Sequence, residues 1–285
     1  MRPPEFSAAT LVLLGHGTTL DAQSSAPVFQ HAAEIRQRKV FAEVREAFWK
    51  QDPQVKDVLA GVKSLRVFIV PLFISEGYFS EEAIPLDLGF REEGQGEYSR
   101  MQQWGEQKLF YTRPVGTHDR MTEVLLTRAR EIVAKFPFPR SPDPKATTLF
   151  IVGHGTEKNE NSRRAIERHV ELIRGLNLYV AVHAVFLEEA PRIGECYQIA
   201  QTKSIIVVPF FISDGLHVRQ DIPVLLGETA RQVRQRLEKG QPTWRNPTER
   251  KGKRVWYSAS VGTEPLVADI ILERVKEAAQ GEAAG

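Results

Sequence analysis

The chain has 285 residues, of which 42% are hydrophobic, so it is long enough to form two domains with separate cores. Its single cysteine, Cys196, excludes an intrachain disulfide framework, a cysteine-rich zinc site and an iron–sulfur cluster, so any metal must be bound by His, Asp or Glu. The formal net charge of +2 is too small to indicate a nucleic-acid partner.

The amino-terminal segment, MRPPEFSAAT, lacks the apolar core of a signal peptide. No run of residues approaches the roughly 18–20 apolar residues of a membrane span. We therefore expect a soluble, cytoplasmic protein without a membrane or nucleic-acid partner.

One sequence pattern occurs twice along the chain. Adding 138 to the residue number takes LLGHGTTLDA (13–22) to IVGHGTEKNE (151–160), and VPLFISEGYFSEEAIPLDLG (70–89) to VPFFISDGLHVRQDIPVLLG (208–227). Fixed-period similarity of this kind indicates an internal repeat. The chain is therefore predicted to be a tandem of two homologous halves.

The boundary between the halves is predicted from composition. The segment FPFPRSPDPKA (136–146) is rich in proline and is typical of a linker, which divides the chain into domains 1–138 and 139–285. Further on, VGTH (115–118) matches VGTE (261–264) at an offset of 146. The eight extra residues fall in segment 228–254, which has nine Lys or Arg and three Asp or Glu, a local net charge of +6.

Apolar runs alternate with longer amphipathic stretches, a pattern typical of parallel strands buried on both faces with helices between them. We predict an α/β fold with two homologous doubly wound lobes, each with a mainly parallel sheet and with a ligand cleft between them. The predicted strands of the second half are 147–152, 178–186, 204–212 and 254–260. The predicted helices are 160–175, 191–202, 219–238 and 264–280.

Three polar side chains follow predicted strands of the second half: His154, Glu188 and His217. Because neighbouring parallel strands lie about 5 Å apart, side chains at their ends are able to converge. Two imidazoles and one carboxylate suit a divalent transition metal and leave coordination positions open for water or substrate. Glu189 competes with Glu188 for the carboxylate role.

The first copy has a different set at these positions: His16, Lys50 and Phe79. A lysine ammonium does not replace a carboxylate ligand, and phenylalanine has no ligand atom. We therefore predict one metal site, in the second half. His16 has either a substrate-facing or a structural role, and the Glu76 and Asp214 pair is expected to shape equivalent loops.

The repeated GHGT (15–18 and 153–156), FLEEAP (186–191) and the two VP(L/F)FIS(E/D)G segments together resemble the class II tetrapyrrole chelatases. The similarity is to the CbiX-type sirohydrochlorin cobaltochelatases and the related sirohydrochlorin ferrochelatases. It implies insertion of Co²⁺ or Fe²⁺, without ATP, into sirohydrochlorin or a related polycarboxylate tetrapyrrole of cobalamin or siroheme biosynthesis. The metal is then a substrate, and no permanently bound cofactor is expected.

The resemblance assigns His154, Glu188 and His217 as metal-binding and catalytic residues. Either His154 or Glu188 is a candidate general base for the pyrrole protons. Since the substrate carries many carboxylates, cationic side chains are expected to orient it. Candidate substrate-binding residues are His16, Ser213 and Arg219, with Arg163, Arg164 and the basic segment as weaker candidates. Fusion of two halves removes the need for dimerisation, so a monomer is expected.

Two other functions are compatible with these residues. A noncatalytic carrier of metal or tetrapyrrole uses the same ligands, and turnover distinguishes it from a chelatase. A phosphoryl-transfer enzyme with a histidine nucleophile is disfavoured because no arginine adjoins His154 or His217 in sequence. A nucleic-acid site at RNPTERKGKR has little support because no aromatic residues are interleaved with the charges.

Overall fold

A computed structural model describes residues 5–18, 22–155 and 160–284. Thr156, which completes the second GHGT motif, lies outside these residues. Among the helices that are described, none is long and apolar enough to cross a membrane.

Each half of the chain forms one five-stranded sheet. The strands of the first sheet are β1 (Thr10–Gly15), β2 (Glu43–Phe48), β3 (Arg66–Pro71), β4 (Met101–Trp104) and β5 (Gln107–Tyr111). Those of the second are β6 (Thr147–Gly153), β7 (Ala181–Phe186), β8 (Ser204–Pro209), β9 (Thr248–Arg250) and β10 (Lys253–Tyr257). The strand orders are β2-β1-β3-β5-β4 and β7-β6-β8-β10-β9.

Four strands of each sheet are parallel, and only the edge strands β4 and β9 are antiparallel to their neighbours. The order reverses between β1 and β3 in the first sheet and between β6 and β8 in the second, which makes each a doubly wound sheet with a switch point. The predicted α/β fold with two mainly parallel sheets is confirmed. Strand β9 was absent from the prediction because it contains only three residues.

The helices before the second sheet are α1 (Ala26–Arg38), α2 (Val55–Ala60), α3 (Ile84–Asp87) and α4 (Met121–Lys135). The later ones are α5 (Glu160–Gly175), α6 (Cys196–Ile199), α7 (Ile222–Leu225), α8 (Ala230–Glu238) and α9 (Leu266–Ala284). The prediction of one helix over 219–238 is wrong. Gly227 has a φ of +106°, which ends the first helical stretch, and the Thr229 side chain accepts a hydrogen bond from Gln232 N at the start of α8.

The sheets are buried because apolar side chains cover both faces. Every residue of β1 and of β6 is buried. Helix α5 buries Ile166, His169, Val170 and Ile173, which recur at the i, i+3, i+4, i+7 spacing of one helical face. The corresponding residues of α1 are buried in the same way: Val28, His31, Ala32 and Ile35.

The two halves of the sequence exchange their last helices, so that each compact unit contains the last helix of the other half. One unit contains the described residues of Met1–His118 and Pro265–Gly285, and the other contains Asp119–Glu264. Helix α9 therefore belongs with the first sheet and α4 with the second. The compact units do not coincide with the predicted boundary between residues 138 and 139, and that boundary of the sequence repeat stays a prediction.

Two equivalent arginines hold the exchanged helices. Arg274 of α9 donates to Pro114 O at 3.2 and 3.0 Å and to Thr117 Oγ1 at 2.8 Å, all within the first unit. At the equivalent position in α4, Arg128 donates to Ser260 O at 2.9 Å and to Thr263 Oγ1 at 2.8 Å within the second unit. The two exchanged helices are therefore held by equivalent contacts in the two units.

Part of the basic segment has a structural role. Glu228 is buried, and its carboxylate pairs with Arg236 at 3.2 Å and with Arg250 at 2.9 Å. Lys253 Nζ donates to the carbonyls of Ala200 and Thr202 at 2.7 and 2.8 Å. These three cations are therefore already bound to acceptors of the second unit.

Candidate metal site in the second unit

The predicted metal ligands follow three adjacent strands of the second sheet. His154 comes directly after β6, Glu188 two residues after β7, and His217 lies beyond β8. The backbone joins the first two loops, since Glu188 N donates to His154 O at 3.1 Å. All three residues thus lie at the carboxyl ends of parallel strands, beside the switch point.

Glycine at position 155 is needed for this approach of the two loops. Gly155 has a φ of +65°, which L side chains rarely adopt. A Cβ atom there would lie 2.7 Å from Glu189 Cγ and 2.8 Å from Phe186 Cβ. The glycine after His154 therefore lets the first loop pack closely on the second.

His154 and Glu188 are close enough to contact one ion. His154 Nε2 lies 3.7 Å from Glu188 Oε1. Two ligand atoms at about 2.1 Å from a shared metal, at octahedral or tetrahedral angles, are about 3.0–3.4 Å apart. The observed 3.7 Å is only slightly longer than this separation, and a small side-chain rotation of Glu188 would bring the two atoms within it. The Glu188 side chain has room for this rotation because it is 59% exposed.

His217 approaches from the other side of His154. The two imidazole rings have centroids 5.1 Å apart and planes inclined by 85°. His217 opens a π-helical turn, His217–Asp221, that leads into α7. Such turns in helices frequently occur at functional sites.

The same nitrogen is hydrogen-bonded in both rings. His154 Nδ1 lies 3.1 Å from Gly155 O, and His217 Nδ1 lies 2.6 Å from Asp221 Oδ2. A carbonyl or carboxylate oxygen only accepts, so Nδ1 carries the hydrogen and donates in each ring. In the neutral imidazoles the lone pair is therefore on Nε2, the atom able to bind a metal.

The three side chains do not form a closed coordination shell. In the part of the chain that the structure describes, no group of three or more His, Cys, Asp and Glu side chains is arranged to hold a metal ion. His154 has each of the other two as a neighbour, but the triad is not gathered around one point. The assignment of all three as ligands stays a prediction.

Asp221 is a residue that the sequence interpretation missed. Its carboxylate fixes the ring orientation of His217 from four residues away. The repeat contained the signal, because the first copy has Ala83 where the second has Asp221 and Phe79 where the second has His217. Replacement of both residues together is expected if the carboxylate serves to orient a metal-binding histidine.

The first copy preserves the backbone but not the ligand chemistry. Lys50 N donates to His16 O at 2.8 Å, and His16 Nδ1 donates to Gly17 O at 2.8 Å, as in the second copy. The ring that faces His16, however, is Phe79, with centroids 4.8 Å apart. The first unit therefore has the loops of the site without the second imidazole or the carboxylate.

The other candidates lie in or near the same loops. Ser213 and Arg219 are half-buried and lie before and after His217. Asp214 accepts a hydrogen bond from Ser260 N at 2.8 Å, which agrees with a loop-shaping role. Glu189 pairs with Arg163 at 3.2 Å and lies under Gly155, so these two residues stabilise the loop.

The position equivalent to Arg219 carries the opposite charge in the first copy. Glu81 occupies it, and burial raises the pKa of this carboxyl group although Arg100 lies beside it. The two copies therefore differ in charge as well as in metal ligands beside the turn that follows the third strand.

A two-unit α/β protein with doubly wound sheets and histidines at one switch point is chelatase-like in architecture. A multi-domain protein from Deinococcus radiodurans, described as structurally similar to chelatases, matches 95% of this chain with a TM-score of 0.75 and 26% identity. This chain spans 55% of that protein's length. SirB from Bacillus subtilis with Fe³⁺ shares the fold, with a TM-score of 0.66 at 18% identity over 96% of this chain and 97% of SirB.

Sequence comparison identifies the family. The CbiX family model matches residues 10–132 and 148–278, once in each repeat. The "Probable sirohydrochlorin cobaltochelatase" of Halobacterium salinarum is 40% identical over 278 residues, 94% of this chain and 91% of that protein. The chain belongs to the CbiX family.

Proposed function

We propose that this protein inserts a divalent metal ion, Co²⁺ or Fe²⁺, into sirohydrochlorin or a related polycarboxylate tetrapyrrole without ATP. His154, Glu188 and His217 present the ion to the ring. Membership of the CbiX family and the name of the Halobacterium salinarum relative support this reaction. The observation that carries the site assignment is the 3.7 Å approach of His154 Nε2 to Glu188 Oε1, with the His217 ring beside it.

The open arrangement of these side chains suits an ion that is a substrate. A metal that must be passed on should be bound by few protein ligands, so that ring nitrogens replace water at its remaining positions. Glu188 offsets the charge of the ion, and the two Nε2 atoms supply nitrogen ligands. The side chains of Glu188 and His217 are more than half exposed, which leaves them room to adjust around an ion.

Two pyrrole protons must leave as the metal enters the ring. Either His154 or Glu188 is the general base, which takes one proton at a time as its contact with the ion is released and passes each proton on to water. Asp221 is a positioning residue, because it holds the Nδ1 hydrogen of His217 and so keeps Nε2 available. Arg219, Ser213 and His16 are the residues that we assign to the substrate.

The test is a spectroscopic metallation assay with purified protein, sirohydrochlorin and Co²⁺ or Fe²⁺. We expect His154→Ala, Glu188→Gln and His217→Ala each to reduce the rate by at least about 100-fold, as for loss of a catalytic group. The matched control is His183→Gln, which replaces a histidine of β7 whose ring stacks on Phe150. Normal rates in all three site variants would refute the assignment.

Asp221→Asn tests the orientation of His217. Loss of an outer partner of a ligating histidine typically lowers metal affinity by about 10–100-fold. Titration with Co²⁺ in the absence of tetrapyrrole should show this loss, while the urea midpoint of unfolding stays near that of the unchanged protein. The carrier hypothesis makes a different prediction in the metallation assay: at most one equivalent of product per protein, with no further turnover.

A further inference from the structure

The first unit has an aromatic surface where the second has its candidate metal site. Residues Trp49, Tyr78 and Phe79 correspond to Leu187, Leu216 and His217 at the offset of 138. The ring centroids of Trp49 and Phe79 are 5.1 Å apart, and those of Tyr78 and Phe79 are 5.5 Å apart. We call this group, together with Phe73 and His16, the aromatic surface.

These rings are only partly covered. Tyr78 is 57% exposed and Phe79 39% exposed, whereas Trp49 and Phe73 pack one side against the core of the unit. Single exposed aromatic residues are common, but a contiguous group of large rings at the carboxyl ends of parallel strands marks a binding surface. The second copy has leucine at two of these positions, so a surface of this size is not required by the fold.

The charge beside the rings indicates which kind of molecule fits. Lys50 is exposed, and its Nζ lies 3.9 Å from the centroid of the Trp49 ring. His16 is also exposed, and its ring lies 5.9 Å from that of Trp49. The surface therefore offers flat π faces together with an exposed cation, which lies over the Trp49 ring and whose long side chain is able to turn toward a carboxylate. This combination suits a planar conjugated ring with carboxylates on its periphery.

We infer that the aromatic surface of the first unit binds one face of the tetrapyrrole by stacking, and that Lys50 pairs with a peripheral carboxylate. This inference rests on the proposed function for the identity of the ligand. In the repeat that lacks the metal ligands, the aromatic residues Trp49 and Phe79 stand where Leu187 and His217 stand in the other. The two copies thus have different roles, one toward the ion and one toward the ring.

The test measures tetrapyrrole binding without any metal, so that no chemistry takes place. Sirohydrochlorin is titrated into the full-length metal-free protein, and the dissociation constant is obtained from the change in the ring's visible absorption. Removing one stacked aromatic side chain should raise the Kd by about 10-fold, in the range found for aromatic stacking on nucleobases. We expect this for Trp49→Leu and for Phe79→Leu.

The matched control is Trp104→Leu, because Trp104 is 44% exposed on β4 of the same unit but is not among the rings of the aromatic surface. The Kd of the Trp104→Leu variant for sirohydrochlorin should equal that of the unchanged protein. Lys50→Gln should raise the Kd at low salt, with a smaller effect at high salt because ion pairs at the surface are screened. In the metallation assay, Trp49→Leu should raise KM and leave kcat unchanged.

Equal Kd values for Trp49→Leu, Phe79→Leu and Trp104→Leu would overturn the inference, and would leave a protein partner as the occupant of the surface. Urea unfolding of each variant identifies any that is misfolded, and the Phe79 variant provides an independent result if the Trp49 variant is. The two proposals fail separately. If the protein metallates sirohydrochlorin but Trp49→Leu does not change the Kd for sirohydrochlorin, only the stacking surface is refuted. If Trp49→Leu raises that Kd but the protein does not metallate sirohydrochlorin, only the chelatase reaction is refuted.

Discussion

Replacing Arg274 with alanine should destabilise the first unit, because Arg274 fastens the exchanged helix α9 to it. The side chain is buried, and its guanidinium donates three hydrogen bonds to Pro114 and Thr117. Hydrogen bonds to a charged group contribute about 1.5–3 kcal/mol each, although water partly replaces them when the side chain is removed. The ion pair with the half-exposed Glu277 adds little.

We therefore expect Arg274→Ala to lower the free energy of unfolding by about 2–4 kcal/mol. With an m value of about 2 kcal/mol/M, the urea midpoint falls by about 1–2 M. The measurement is urea denaturation followed by circular dichroism and tryptophan fluorescence. Lys276→Ala is the matched control, since it removes an exposed cation from the same helix and should change stability by less than about 0.5 kcal/mol.

An Arg274→Ala midpoint equal to that of Lys276→Ala would refute the structural role of the arginine. Arg128→Ala provides the internal comparison, because it removes the equivalent bonds in the second unit. Destabilisation by both arginine variants is expected if each exchanged helix is held by the same contacts.

Three further predictions concern the second unit. Glu228→Ala leaves Arg236 and Arg250 without their shared buried carboxylate and should cost about 3–5 kcal/mol in urea unfolding; a loss below 1 kcal/mol would contradict the buried ion-pair arrangement. Cys196 should be inert to thiol reagents until the protein unfolds, because burial raises the pKa of its thiol to about 12, and rapid labelling of the native protein would show otherwise. Burial, together with Arg174, lowers the pKa of His183 in the folded state. The contribution of His183 to stability is therefore present above its unfolded-state pKa and is lost as pH falls through its folded-state pKa. His183→Gln should flatten the fall of the melting temperature below about pH 6.5 relative to the unchanged protein, and an unaltered slope would argue against this.

Much of the fold was predictable because the repeat and the strand pattern depend on local sequence. Strand β6 and helix α5 have nearly the predicted bounds, since a continuous apolar run and a 3.6-residue apolar period are each visible in the sequence. The predicted helix over 191–202 is shorter than expected, because α6 ends at Ile199 and Ala200 has extended backbone angles. The helix over 219–238 is interrupted because Gly227 takes a positive φ that its sequence context did not reveal.

The site was predictable in part for the same reason. His154 and Glu188 follow strands whose ends are marked by apolar runs, and parallel pairing brings those ends together. Asp221 was missed, because its role depends on the π-helical turn that points its carboxylate at His217. The comparison of copies also predicted the loss of metal ligands in the first unit, but gave no indication that the replacing side chains pack into an aromatic surface.

The sequence by itself determined that the chain is a tandem α/β repeat with one complete set of candidate ligands. Repeats, strand periodicity and residue chemistry can all be seen in short stretches of sequence. Only the tertiary structure decided that α4 and α9 are exchanged between the units, and how the side chains of the site are oriented. The apolar stripe of an amphipathic helix shows which face is buried, but not which sheet it packs against. The choice depends on long-range contacts such as the bonds of Arg274 to Pro114, which lie 160 positions apart in the chain.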